Sequence, residues 1–67
     1  MKRLRFDSLD EMKLVLHESY QLDLEISKET RSYMWVKLTS TENEEVYVCK
    51  VLGNSTVGYI FDFRNMR

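Results

Sequence analysis

The sequence has few of the residues that cross-link small domains or interrupt helices and strands: it has no proline, two glycines, one cysteine and one histidine. Its single cysteine, Cys49, cannot form an internal disulfide. Together with the single histidine, His17, it falls short of the four ligands of a structural zinc site. Two glycines are also too few for a glycine-rich phosphate loop. We therefore expect no metal and no cofactor, and a stability that comes from a packed core or from self-association.

Residues for catalysis are equally sparse. No Ser/His/Asp set can be assembled around the one histidine, since nothing in the sequence fixes its neighbours. The acidic run Glu42, Glu44 and Glu45 is typical of a solvated loop rather than of a metal site. Cys49 lies in the middle of an expected strand, which favours a buried and inert thiol. The sequence therefore predicts a protein that is not an enzyme.

The distribution of apolar residues bears on the cellular compartment of the protein. No apolar run approaches the roughly 20 residues of a membrane span, and the charged start of the sequence lacks the apolar core of a signal peptide. With the unpaired cysteine, these features predict a cytoplasmic protein that does not associate with membranes. A hydrophobic content of 43% indicates a folded chain, and we expect residues 1–67 to form a single domain.

The charge is nearly balanced, at −1, so no global field draws the protein to nucleic acid. The basic residues are nevertheless unevenly distributed. Lys2, Arg3 and Arg5 lie at one end of the chain, and Arg64 and Arg67 at the other. These residues form a small basic patch if the two ends meet in the fold, and otherwise serve to solubilise the ends.

Hydrophobic periodicity predicts a short strand, one helix and then four strands. Ser8 and Glu11 have the spacing of a capping box, so the helix is expected to begin at Leu9 and to end at Ser19 or Tyr20. Its apolar stripe consists of Leu9, Met12, Val15, Leu16 and Tyr20. The strands are expected at residues 2–6, 21–26, 33–39, 46–52 and 57–64, where side chains alternate between two faces.

This order indicates an α+β fold. Short polar connections join the last four strands, so we expect a four-stranded antiparallel meander, preceded by the short N-terminal strand and the helix, with the helix packed on one sheet face. A strongly curled, barrel-like sheet, in which both sets of side chains find cover, is the alternative.

A single helix cannot cover both faces of such a sheet. A helix of about 12 residues is roughly 18 Å long, whereas four or five strands make a sheet roughly 19–24 Å wide. In the strand 33–39, Met34, Val36 and Leu38 point to one side, and Tyr33 and Trp35 point to the other. The uncovered side is predicted to have an apolar, aromatic centre and a charged margin. Its predicted partner-binding residues are Tyr33, Trp35, Lys37, Val46, Val48, Lys50, Ile60 and Arg64.

Two functions compete for that surface. The first is a small non-catalytic interaction protein, such as an adaptor, inhibitor or regulator, that binds a protein partner or a second copy of itself. The alternative is a single-stranded nucleic-acid-binding module in which aromatic rings stack on bases and cations meet phosphates. Its residues would be Arg3, Arg5, Tyr33, Trp35, Lys37, Lys50 and Arg64.

A third possibility is strand addition at an exposed sheet edge, whose sign would be a long, uncharged edge. The aromatic residues are also compatible with strand propensity and cross-strand pairing alone.

Overall fold

A computed structural model describes residues 3–67. Lys2, which the sequence places in the first strand and in the basic group at that end, lies outside the described residues. The elements in chain order are β1 Arg3–Phe6, α1 Leu9–Tyr20, β2 Leu22–Glu29, β3 Tyr33–Ser40, β4 Val46–Asn54 and β5 Gly58–Asp62, followed by a short 3₁₀ helix, Phe63–Asn65.

The five strands form one antiparallel sheet in the order β1-β5-β4-β3-β2. The meander from β2 to β5 and the packing of α1 against the sheet confirm the predicted α+β fold. The sheet is not closed, so the barrel-like alternative is wrong. Strand β1 pairs with β5, with Arg3 opposite Asp62, and this pairing brings the N-terminal strand close to the 3₁₀ helix.

The beginning of α1 follows from its capping residues. Ser8 is extended, and its hydroxyl accepts a hydrogen bond from the Glu11 backbone N–H at 3.1 Å. The Glu11 carboxylate accepts the reciprocal bond from the N–H of Asp7, one residue before the cap. Both bonds satisfy backbone N–H donors at the N-terminus of the helix. The predicted helix start is therefore confirmed, with one donor shifted by a residue.

The end of α1 depends on Gln21, which adopts the left-handed conformation with φ of 54°. Its backbone N–H donates to the carbonyl of Leu16 and closes the last turn. Glycine is the residue that helices most often use here, because it has no Cβ to penalise a positive φ.

We expect Gln21→Gly to stabilise the protein by about 0.5 kcal/mol and to raise its melting temperature by about 2–4 °C. Relief of the Cβ strain outweighs the loss of the exposed hydrogen bond from the Gln21 amide to the Glu18 carbonyl. Thermal unfolding followed by circular dichroism measures the change. Gln21→Ala is the control, since it loses the same amide but keeps the Cβ; an equal gain from alanine would contradict the explanation.

The core lies between α1 and one sheet face. Met12 and Leu16 of α1 are fully buried, and Leu9, Val15 and Tyr20 are packed against the core, as the apolar stripe predicts. The sheet contributes a set of side chains that alternate inward along the strands: Phe6, Leu22, Met34, Val36, Leu38, Cys49, Val51, Tyr59 and Phe61. Burial of this apolar surface is the main source of stability.

Several predicted strand boundaries need correction. The last strand ends at Asp62 rather than at residue 64, because the Asp62 carboxylate accepts the Arg64 N–H at 2.9 Å and caps the 3₁₀ helix. It begins at Gly58 rather than at residue 57, and Val57 is exposed. Strands β3 and β4 continue to Ser40 and Asn54, beyond their predicted ends at residues 39 and 52.

Strand β2 runs from Leu22 to Glu29 rather than from Gln21 to Ile26, because Gln21 ends α1 instead. Its pairing with β3 shifts between Ile26 and Lys28, so a bulge at Ser27 interrupts the alternation. The bulge places Lys28 opposite Trp35, although simple alternation puts these two residues on different faces. A bulge of this kind reorients the side chains that follow it.

Candidate functional site

The sheet face opposite α1, called the open face below, carries most of the residues that the sequence predicts for binding. Its strands are held in register by antiparallel pairing. Cross-strand partners share a face of the sheet. The pairs on the open face are Tyr33 with Leu52, Trp35 with Lys50, Lys37 with Val48, Thr39 with Val46, and Leu52 with Ile60.

Large apolar side chains on the open face remain accessible. Trp35 is 38% exposed, and Val46, Val48 and Leu52 are 55%, 47% and 45% exposed. The intervening residue Val36, which points to α1, is fully buried. The two sides of one strand thus meet different environments, and the fold covers the Trp35 side chain only in part. This placement agrees with the predicted shortfall in cover.

Lys50 lies beside the two aromatic rings of the open face. Its ammonium nitrogen is 4.5 Å from the centroid of the Tyr33 ring and 6.0 Å from that of Trp35. A cation at this distance is attracted to the ring face, by about 0.5–1 kcal/mol at exposed sites. The contacts restrict the Lys50 side chain and cover part of the Tyr33 ring. Both Tyr33 and Lys50 are half-buried as a result.

A groove of about 310 Å³ lies next to this cluster, lined by Trp35, Val48, Lys50, Asn65 and Arg67. Its far wall comes from the chain after β5, which turns back to β4 through the 3₁₀ helix. The N–H and carbonyl of Arg67 pair with the carbonyl and N–H of Val48, both at 2.8 Å, and the Asn65 amide donates to the Lys50 carbonyl. Backbone hydrogen bonds therefore fix the position of this wall.

Three carboxylates stand near the margin of the open face, and each has a basic side chain beside it. Glu25 lies 3.6 Å from the Lys37 ammonium. Asp23, on the edge strand β2, lies 2.7 Å from the His17 ring. Asp62 forms the third pair, with Arg64.

The Asp62–Arg64 pair has the best geometry of the three. The Arg64 guanidinium donates to both carboxylate oxygens of Asp62, with the shortest distance 2.7 Å. This bond and the Arg64 backbone N–H lower the pKa of Asp62 to about 2, and the same pair raises the pKa of Arg64. Both groups are therefore ionised at neutral pH, and Arg64 is engaged within its own chain.

The remaining predicted residues are placed as follows. Ile60 is half-buried between Leu52 and Arg5 on the open face. Arg5 donates to Asp7 at 2.9 Å and to the Val57 carbonyl at 3.0 Å. Arg3 lies opposite Asp62 and so near Arg64, which brings part of the predicted basic group together.

Sequence reasoning missed four residues of this surface. Leu52 has the same alternation as Val48 and Lys50, so the pattern could have identified it. Lys28 reaches the open face only through the bulge, and Asn65 and Arg67 only through the turn after β5. Those three depend on backbone irregularities that alternation does not encode.

A second groove, of about 430 Å³, lies between α1 and β2 and is lined by Asp10, Lys13, Leu14, His17, Asp23 and Leu24. Leu14 is 56% exposed there, in agreement with its position off the apolar stripe of the helix. Its other lining residues are mostly charged, so this groove has a single exposed apolar side chain and lacks an extended apolar floor.

Cys49 is fully buried on the covered side of β4, as predicted. Burial raises the pKa of its thiol from 9.0 to about 11, and the Asp62 carboxylate contributes to the rise. The thiolate is the reactive form of cysteine. A thiol held neutral in this way is a poor nucleophile at neutral pH.

Because the pKa of the Cys49 thiol is raised, the free energy of unfolding decreases at alkaline pH. The unfolded chain releases the thiol proton near its ordinary pKa, whereas the native chain holds it to about pH 11. The stabilisation is therefore complete below pH 9.0 and is lost as the pH rises towards 11. Urea unfolding of the native protein and of Cys49→Ala measures this. We expect the difference in unfolding free energy between them to shrink across that interval, and a constant difference would contradict the assignment.

Comparison of the sequence with protein-family models and with curated proteins, and of the fold with solved structures, found no match. Within residues 3–67, no helix combines the length and the apolar character that crossing a membrane requires.

Proposed function

We propose that this protein is a small non-catalytic interaction module that binds a partner protein through the open face. The observation that carries the proposal is the accessibility of Trp35, Val46, Val48 and Leu52 on a sheet face that α1 does not cover. In the strand register, Val48 and Leu52 flank the cross-strand partner of Trp35, and Val46 follows Val48 along β4. Two lysines, Lys37 and Lys50, stand among these apolar side chains. Large exposed apolar side chains grouped on one face are typical of interaction sites.

The composition of the surface also supports protein binding. Trp and Tyr are enriched among the residues that dominate binding energy, because they bury a large area with few rotatable bonds. Trp35 stands at the side of a groove and is therefore placed to contact an inserted side chain. Val46 and Val48 extend the apolar surface along β4.

Binding of single-stranded nucleic acid is less well supported. The Lys50 ammonium lies over the Tyr33 ring, on which a base would have to stack. The exposed apolar residues beside Trp35 are mainly aliphatic, and aliphatic side chains provide no stacking platform. Asp23, Glu25 and Asp62 place negative charge near the path of a phosphate backbone. A labelled oligonucleotide that fails to bind at low salt would remove this alternative.

Strand addition is disfavoured by the two edges of the sheet. Strand β1 has four residues, and the longer edge strand β2 carries a bulge. Strand β2 also bears the charged residues Asp23, Glu25, Lys28 and Glu29. Charges and bulges on edge strands discourage pairing with another chain.

Affinity capture of partner proteins from the cells that make this protein tests the proposal. Two variants are compared, one with a charged substitution on the open face and one with the same substitution elsewhere. We expect Val48→Glu to abolish capture of the partner, since it buries a carboxylate in an apolar contact. The matched control, Leu14→Glu on α1, should retain it. Light scattering shows whether the captured species is a second copy. A partner retained equally by both variants would overturn the proposal.

A further inference from the structure

The charges of the open face identify the chemistry of its partner. Near its margin, Glu25 and Asp62 are each paired with a cation of the same chain, Lys37 and Arg64 respectively, and the third carboxylate, Asp23, contacts the His17 ring. Lys28, Lys50 and Arg67 have no ion-pair partner among residues 3–67. The unbalanced charge of the open face is therefore positive, although the net charge of the whole chain is −1.

Two of these cations stand at the same groove, whose other lining residues are Trp35, Val48 and Asn65. A groove with apolar residues and two basic residues in its lining suits an apolar side chain that has a carboxylate next to it. Arginine binds a carboxylate through two parallel hydrogen bonds, and the Asn65 amide stands beside it in the same groove.

The Lys50 ammonium is already positioned. The Tyr33 and Trp35 rings hold it, at 4.5 and 6.0 Å from their centroids. Backbone pairing with Val48 fixes the main chain of Arg67 at the groove wall. Positioned groups lose less conformational entropy on binding than mobile ones do, so more of the attraction contributes to affinity.

We propose that the open face binds an acidic segment of a different protein. A partner aspartate or glutamate lies between Lys50 and Arg67, and an adjoining apolar side chain lies against Trp35 and Val48. This inference rests on the proposed protein-binding function. A second copy of this chain is a poorer occupant, because a two-fold dimer contact would bring two positively charged open faces together.

Selection from a displayed library of random peptides tests the inference. We expect the wild-type protein to enrich peptides in which Asp or Glu is adjacent to Leu, Ile, Phe or Trp, and Trp35→Ala to lose them. Lys50→Glu should weaken an enriched peptide about tenfold or more, because it places like charges together. It should strengthen the version of that peptide with Lys in place of the acidic residue.

The matched control is Lys13→Glu, which makes the same change of charge on α1, in the other groove. It should alter peptide affinity less than about twofold. Lys50→Met provides a second variant that keeps the apolar stem beside Tyr33 but removes the charge. It should also weaken binding, which keeps the test valid if Lys50→Glu does not fold.

The outcomes separate the inference from the function on which it rests. Peptides that depend on Trp35 but show no acidic preference would overturn the inference and leave protein binding in place. A selection that yields no Trp35-dependent peptide would count against both. A labelled oligo-dT that binds in a Trp35-dependent way would assign the face to nucleic acid, and a Trp35-dependent dimer in light scattering would assign it to a second copy.

Discussion

Replacing Gly53 by alanine is expected to destabilise the protein by about 3 kcal/mol or more, which is a large part of the stability of so short a chain. Gly53 lies near the end of β4 with φ of +109°, a conformation that residues with a Cβ rarely adopt. A Cβ at this position would lie 2.0 Å from the carbonyl oxygen of Gly58. That atom belongs to the backbone of the paired strand, so the contact cannot be relieved by rotating a side chain.

The consequence extends beyond one turn. Gly53 pairs with Tyr59 in β5, and its N–H donates to the Ser32 carbonyl at 2.8 Å. Only three residue pairs join β4 to β5, those of Leu52, Gly53 and Asn54 with their partners. A displacement at Gly53 therefore strains the hairpin that carries β5, and β1 is attached to the sheet through β5.

Urea unfolding of wild-type and Gly53→Ala proteins measures this effect. Ser55→Ala, an exposed substitution in the same turn, is the control and should change the unfolding free energy by less than about 0.5 kcal/mol. If Gly53→Ala were as stable as the control, the strand would not need the backbone conformation that the structure assigns to it.

The largest expected effect on binding is that of Trp35→Ala, which should weaken the complex with the captured partner about 30-fold or more, equivalent to about 2 kcal/mol. Trp35 offers the largest accessible apolar side chain of the open face and stands beside the groove. In the proposed complex, its loss removes the side chain against which the partner packs. It also removes one of the two rings next to the Lys50 ammonium.

The effect on folding should be much smaller. Trp35 lies outside the buried core, so its truncation leaves no cavity there, and we expect a loss of about 1 kcal/mol or less from cross-strand contacts. Titration calorimetry with the captured partner measures affinity, and thermal unfolding measures stability. Leu14→Ala, which removes an accessible side chain from α1, is the matched control and should leave affinity unchanged. Equal affinities for the two variants would show that the open face is not the contact.

Local patterns were sufficient to predict the helix and the two faces of the sheet. Ser8 and Glu11 identify the start of α1, because capping depends on residues close in sequence. Alternation in the strand 33–39 separates Val36 from Trp35, and the structure buries the first and exposes the second. Such features depend on periodicity alone.

Features set by contacts distant in sequence were not predictable. The pairing of β1 with β5 joins the two ends of the chain and has no local signal. Phe63 continues the alternation of Phe61, yet it leaves the strand to pack on Tyr20 and Phe61, with ring centroids 5.0 and 4.9 Å apart. The capping of Arg64 by Asp62 makes this turn possible. The groove wall formed by Asn65 and Arg67 follows from that turn, so strand periodicity could not predict it.

Because Trp35 is the only tryptophan of the chain, its fluorescence reports directly whether a partner covers the open face. Acrylamide quenching would be measured for the isolated protein at low concentration and again with the captured partner in excess. We expect efficient quenching of the isolated protein, in which the indole is exposed to solvent, and strong protection with a blue-shifted emission in the complex. An indole already protected in the isolated monomer, or one quenched equally in both states, would contradict a binding surface centred on Trp35.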